Sequence, residues 1–315
     1  MRLPQALLTG INPMQTPWGE IAVADAHVHF FSRNFFATLA AQCGKTAEEV
    51  ATATGWALPS EDPVELARTW VAELDAQGVS RAALIASVPD DEASVEAAVS
   101  AFPDRFFGYF MVNPLEEAAV ERVQIAMRCG LHAVCLFPAM HRYSIHDPRA
   151  EAILKAVAGY RGRAVFVHCG VLTVGVRKKL GLASPFDMRF SNPLDLHGVA
   201  LRYPQLKFIL PHFGAGMLRE ALMLADLCPN VYLDTSSSNR WMRYEGLDLK
   251  TVFRRTMDVL GARRLLFGTD SSFLPRGWNF EIYEAQTRAF LDLGVSATDA
   301  RLMLEGNLVE IFENA

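Results

Sequence analysis

The 315-residue chain is 51% hydrophobic and carries a formal charge of −5, with 30 Lys and Arg against 35 Asp and Glu. That balance leaves no electrostatic footprint for a nucleic acid, and no apolar run approaches the length of a membrane-spanning helix. The five cysteines, at 43, 129, 135, 169 and 228, have no CxxC spacing and read as reduced thiols, not as a disulfide framework.

In chain order, Pro4 and Gly10 interrupt the first residues where a secretory leader needs an unbroken apolar stretch, so a cytoplasmic protein is expected. From there, eight short apolar runs recur, each closed by Gly, Pro, Asn, Ser or Asp. They are "IAVADAHVHF" (21–30), "RAALIASVP" (81–89), "FFGYFMVNP" (106–114) and "LHAVCLFP" (131–138), then "RAVFVHCG" (163–170), "LKFILPHFG" (206–214), "NVYLDTSS" (230–237) and "RLLFGTDSS" (264–272). Apolar residues on successive positions predict parallel strands covered on both faces. Helical spacing marks 63–78, 115–130, 214–230, 280–294 and 296–312. The first has Pro near its start and Gly at its end, and the last begins at Ser296, a good cap.

Strand alternating with helix predicts a single (β/α)8 TIM barrel over 1–315, with insertions after strand 1 (31–63) and strand 5 (171–190). On that map His27 and His29 end strand 1, His168 ends strand 5, His212 ends strand 6 and Asp270 ends strand 8. Residues two apart on a strand share a face, so both strand 1 histidines can point inward. In an open doubly wound sheet these strands would lie in a row with about 4.8 Å between neighbours, and no GxGxxG follows strand 1. Only a closed barrel lets the five groups converge. Histidine nitrogens with a carboxylate suit zinc, although manganese, cobalt or iron also fill such sites. Of the remaining histidines, His132 falls at the wrong end of the barrel and reads as structural, and His197 reads as a surface or helix-packing position. His141 and His146 lie on the loop after strand 4 and can approach the pocket.

With "DAHVHF", "FVHCG", "LPHFGAG" and "FGTDSS" on the page, the chain resembles the amidohydrolase superfamily over residues 21–312. It is most similar to the amidohydrolase-related branch, which holds metal-dependent decarboxylases of the aminocarboxymuconate-semialdehyde and resorcylate type, and lactone hydrolases of aromatic catabolism. The resemblance implies one divalent ion on His27, His29, His168 and Asp270, with His212 beside it as acid/base or electrostatic partner. It also implies Asp270 as a catalytic proton carrier, and dimers are common among the relatives. One departure matters: "LHAVCLFPA" offers Cys135 and no Lys, Glu or Asp for a bridging ligand, so a mononuclear site is expected.

The expected reaction is hydrolysis of a small amide, lactone or ester. The rival is non-oxidative decarboxylation of an aromatic or unsaturated acid, and the same residues serve either chemistry. A metal-binding barrel without turnover is disfavoured, because storage does not require His212. Candidate groups for an anionic small-molecule substrate are Arg33, Arg177, Arg240, Arg276 and His141, with Trp278, Trp241, Phe31 and Phe273 as ring-walling aromatics. The Arg177-Lys178-Lys179 run is either a solvated loop or a collector of anions. Gly214 and Gly216 are expected to serve close backbone packing beside His212, not phosphate binding.

Overall fold

In the computed structural model, residues 14–236 and 240–313 are described. The expectation about a leader falls largely on residues 1–13, outside the described residues. All eight apolar runs become strands, here β1 (Ala24–Phe30), β2 (Arg81–Ala86), β3 (Phe106–Met111), β4 (Ala133–Leu136), β5 (Ala164–Val167), β6 (Lys207–Leu210), β7 (Val231–Asp234) and β8 (Leu265–Leu266). Each pairs in parallel with the next. Three hydrogen bonds join β1 to the β8 segment and close the sheet: Ala26 N to Phe267 O at 2.8 Å, Asp270 N to His27 O at 3.0 Å, and His29 N to Ser271 O at 2.7 Å. The architecture is a (β/α)8 TIM barrel.

Outside the sheet, helix Pro63–Gln77 starts on an Asp62 cap with Pro63 in its first turn and stops at Gly78. Helices Leu218–Leu227 and Phe280–Asp292 follow β6 and β8. The last segment starts on the Ser296 cap, runs through one π-turn at Leu302–Gly306 and ends as helix Asn307–Glu313. Its Leu308, Ile311 and Phe312 enter the barrel interior beside Phe107 and Tyr109. A large apolar side chain so buried contributes roughly 1.5–3 kcal/mol. This helix plugs the bottom of the barrel.

The two insertions lie over the other end. Residues 31–63 fold into helices Arg33–Cys43 and Ala47–Thr54, and 171–190 into the short helix Gly175–Lys179 and a 3-10 turn at Met188–Phe190. Phe35, Phe36, Leu39 and Val50 of the first form a small core with Val176 of the second. The basic run belongs to this seam. Arg177 donates to Ala183 O and Gln42 Oε1, and Lys179 donates to Thr54 O while its ammonium lies 5.6 Å from the Trp56 ring. Arg177, a candidate for the substrate, thereby joins the two insertions.

Candidate metal centre

A β-bulge in β1 sets the site. Asp25 pairs with Ala82 and Val28 with Leu84, so three steps along β1 match two along β2. One extra residue reverses the alternation of faces. Asp25 consequently lies on the outer side, while His29, opposite Ile85, shares the inner face with the barrel interior. Without the bulge, Asp25, His27 and His29 would all fall on one face.

Asp25 is fully buried and accepts four hydrogen bonds. They come from His27 N at 2.9 Å, Thr269 N at 3.1 Å, Thr269 Oγ1 at 2.5 Å and Trp278 Nε1 at 2.7 Å. Burial pushes its carboxyl up to about 6 even though these donors pull the other way. Asp25 thus ties the strand bearing His27 to the turn bearing Asp270. Trp278 is committed to this tie, 2% exposed and packed on Phe267 and Tyr283. Its one polar atom is bound to Asp25, and at 2% exposure the ring has almost no surface left for the substrate-facing role expected of it.

On the inner side, the donor atoms of His27, His29 and Asp270 all lie within 4.8 Å of one another. Asp270 Oδ1 is 3.1 Å from His29 Nε2 and 3.7 Å from His27 Nε2. The hydrogen bonds behind the rings decide which nitrogens are bare. His27 Nδ1 is 2.6 Å from the buried Asp234 carboxylate, an acceptor, so the proton is on Nδ1. His29 Nδ1 is 2.7 Å from Ser87 Oγ, whose own proton goes to Ile85 O, so His29 Nδ1 donates as well. His212 Nδ1 donates to Ser236 O at 2.8 Å. In all three rings Nε2 is left as a lone pair. His168 Nδ1 is buried without a partner among the described residues. Its ring lies 5.5 Å from that of His212, which is 5.0 Å from that of His27.

At His29, His168 and His212 the charge states agree with this arrangement, whereas His27 is drawn toward its charged form until a cation displaces the proton on Nε2. Burial holds the His29, His168 and His212 imidazoles below their ordinary pKa, His168 furthest, so they are neutral. Burial also opposes charge on His27, but the Asp234 carboxylate outweighs it and raises the ring's pKa. Burial opposes ionisation of Asp270 too, yet the His29 hydrogen bond and the nearby imidazoles hold its carboxyl well below the usual range. Where His29 is neutral with its proton on Nδ1, its Nε2 faces the ionised oxygen at 3.1 Å, a pair that a shared proton or a cation bridges. Neutral imidazoles and a carboxylate are the protonation states that a divalent cation requires. The donor set fits a metal.

Two of these residues occupy left-handed backbone, His212 at φ 57° and Asp270 at φ 59°. Each such residue costs on the order of 1–3 kcal/mol unless its surroundings hold it there. Around His212 the whole stretch His212–Gly216 has positive φ, and a Cβ on Gly214 would come 2.8 Å from Ala221 Cβ of the following helix. That matches the packing role expected for Gly214. Gly268 allows another close approach: a Cβ there would meet Asp234 Oδ1 at 2.7 Å.

The other candidates scatter. Arg276 comes nearest, donating to Asp270 O at 3.2 Å and Ser272 Oγ at 2.9 Å, its guanidinium 4.5 Å from the Phe273 ring centroid. Arg33, another candidate, pairs with Glu48 inside the first insertion. Arg240 opens an exposed 3-10 turn. His141 ends the short helix Pro138–His141 with Nδ1 buried and unpartnered among the described residues, and burial pushes its pKa down to about 4. Trp241 is buried against Phe213, and Cys135 is buried in the barrel interior. Sequence reasoning missed Asp234, Ser87 and Ser236. Asp234 carried a findable signal, as an acid at a strand's end beside the mouth.

Among solved structures, the chain is similar to 5-carboxyvanillate decarboxylase from Novosphingobium aromaticivorans, which holds manganese and a nitrobenzoic acid. That likeness has a TM-score of 0.64 at 15% identity and covers 95% of this chain and 99% of the other. It is also similar to a probable 2-pyrone-4,6-dicarboxylic acid hydrolase from Acinetobacter baumannii, with TM-score 0.61, 15% identity, and 93% and 99% covered. At these identities the likeness is one of fold. A curated relative, the protein fluG of Emericella nidulans, is 30% identical over 105 residues, which are 32% of this chain and only 12% of that protein. The amidohydrolase family matches residues 24–312, and the chain belongs to that family.

Proposed function

We propose that this chain is a hydrolase of a small amide, lactone or ester, with one divalent ion, zinc by donor chemistry, on His27, His29, His168 and Asp270. The observation that carries the reading is the set of bare Nε2 atoms facing the ionised Asp270 at 3.1 and 3.7 Å. When bound, the metal acidifies a water and polarises the carbonyl under attack. The chain's own residues handle the protons. Asp270 accepts the proton of the attacking water on a carboxylate oxygen and hands it to the leaving group. His212, fixed by Ser236 O through Nδ1, has an Nε2 lone pair that can take the proton of the attacking water and return it to the leaving group, sharing that transfer with Asp270. Asp25, Asp234 and Ser87 keep rings and carboxylate in register before substrate arrives.

Arg276 favours a second reading, decarboxylation. Its guanidinium is exposed, lies over Phe273 and uses only Nη2 in its bonds to Asp270 O and Ser272, so a carboxylate can take the remaining donors. One experiment separates the two. Metal is quantified in protein purified without chelator, and a panel of lactones, esters and aromatic acids is assayed with CO2 detection. About one equivalent of metal with acid release and no CO2 supports the hydrolase. CO2 release replaces it with the decarboxylase, and failure to take up zinc or manganese overturns both.

A further inference from the structure

A column of stacked side chains runs beside the cluster and ends on Arg276. The Phe35 and Phe31 rings are stacked at 3.9 Å with 1° between their planes, Phe31 and Trp56 at 5.3 Å and 23°, and Trp56 and Phe273 at 4.6 Å and 13°. The Arg276 guanidinium lies 4.5 Å from the Phe273 centroid. An indole and a guanidinium at those distances have no room on one face of a six-membered ring, so Phe273 is held between them. The Phe31 ring is also 5.5 Å from that of His29, which places the column against the candidate metal centre.

The two ends of the column come from different parts of the chain. Asp270, Ser272, Phe273 and Arg276 belong to one short turn, and Arg276 spends Nη2 on Asp270 O at 3.2 Å and Ser272 Oγ at 2.9 Å within it. Trp56 comes from the first insertion, and beside it Ala57 N donates to Leu274 O at 2.8 Å, fastening the insertion to that turn. The second insertion bears on the same indole through Lys179, whose ammonium lies 5.6 Å from the Trp56 ring while it donates to Thr54 O at 3.2 Å. Both insertions therefore act on the ring that backs Phe273.

We infer that Trp56 is a positioning residue for Arg276: by backing Phe273 it holds the guanidinium at the mouth, and so sets the preference of the site for carboxylate-bearing over neutral substrates while touching neither. A long, flexible cation loses affinity when it must be ordered on binding, whereas a guanidinium already seated on a ring offers its remaining donors in place. The inference rests on reading Arg276 as the carboxylate partner, and it holds for hydrolysis and decarboxylation alike.

The test is isothermal titration of zinc-loaded protein with benzoate and with benzamide, which share a ring and differ in charge. Trp56→Leu should weaken benzoate about two- to fivefold, the effect of a guanidinium losing its seat on a ring, and leave benzamide unchanged. Trp56→Met fills similar space without a flat face and serves where Trp56→Leu does not fold. Trp56→Phe, which keeps a ring between Phe31 and Phe273, should restore benzoate binding. Arg276→Gln alone should weaken benzoate about tenfold or more, and adding Trp56→Leu to it should cost nothing further. Equal losses for both ligands, an additive loss in the Arg276→Gln background, or unchanged benzoate binding in the Trp56 variants overturns the inference. An Arg276→Gln protein that binds benzoate as before overturns the carboxylate role of Arg276 and this inference with it. Zinc content, measured on every variant, reports on the metal centre separately.

Discussion

The two ends of the barrel use histidine in opposite ways. At the bottom, His132 Nδ1 accepts from Gly108 N at 3.1 Å, so the ring proton is on Nε2. The ring lies between Phe107 and Phe312, with centroids 5.1 and 5.3 Å away, and burial, with Arg163 adding to it, lowers its pKa to about 3. At the top, His27, His29 and His212 hold the proton on Nδ1 and leave Nε2 bare. Burial depresses the pKa at His29 and His212 as it does at His132. What differs is which nitrogen the backbone and neighbouring side chains occupy, and that decides whether a buried imidazole can be a ligand or only packing.

The comparison is broken most severely by removing a bare nitrogen. His29→Ala should abolish metal retention after dialysis, measured by elemental analysis, and lower turnover by on the order of a thousandfold or more, because the ion's coordination is no longer complete. A variant that retained one equivalent of metal would exclude His29 from the ligand set.

Next comes the tautomer itself. Asp234→Asn replaces an obligate acceptor with an amide that can turn a donor toward His27 Nδ1. Metal affinity, read by competition with a chromogenic chelator, should fall about 10- to 100-fold with the fold intact. Unchanged affinity would mean that the ring is oriented by Ser236 Oγ, 2.9 Å from the same nitrogen.

Gly268→Ala tests the same support by crowding. Its new methyl would press on Asp234 Oδ1, Ser236 Cβ and His27 Cβ, and overpacking of this kind costs about 1–3 kcal/mol in urea denaturation. A denaturation midpoint equal to that of the unaltered protein would show that the cradle yields.

A pH-dependent effect belongs to the bottom. His132 has a folded pKa near 3 against an ordinary value near 6.5. Between those values the unfolded chain binds more protons, so stability is fully present above about pH 6.5 and declines as pH falls toward 3. His132→Gln keeps an acceptor but cannot titrate, and should flatten the dependence of the urea midpoint between pH 6.5 and 4. An unaltered slope would assign that dependence to other groups.

Most of the barrel was legible because parallel strands buried on both faces leave continuous apolar runs, and every such run became a strand. His27, His29 and Asp270 were legible as a cluster because strand ends in a closed barrel converge. The partners of the candidate arginines were not. Arg33 and Arg177 stand at the right end of their strands, but their partners, Glu48 and Gln42, lie on helices within the first insertion that apolar periodicity did not mark. The tie of Trp278 was hidden for a related reason, since its hydrogen bond reaches 253 residues back to Asp25.

Local sequence therefore determined what depends on neighbours along the chain: the strands, the glycine and serine helix ends, and which residues sit at the mouth. Tertiary structure alone decided the β1 bulge that turns Asp25 away from the two histidines, the left-handed seats of His212 and Asp270, and the partners that set each tautomer. Those are properties of contacts between separate strands, the longest of them, His27 with Asp234 and Asp25 with Thr269, spanning more than 200 residues of chain, and the free energy that holds them comes from closing the barrel.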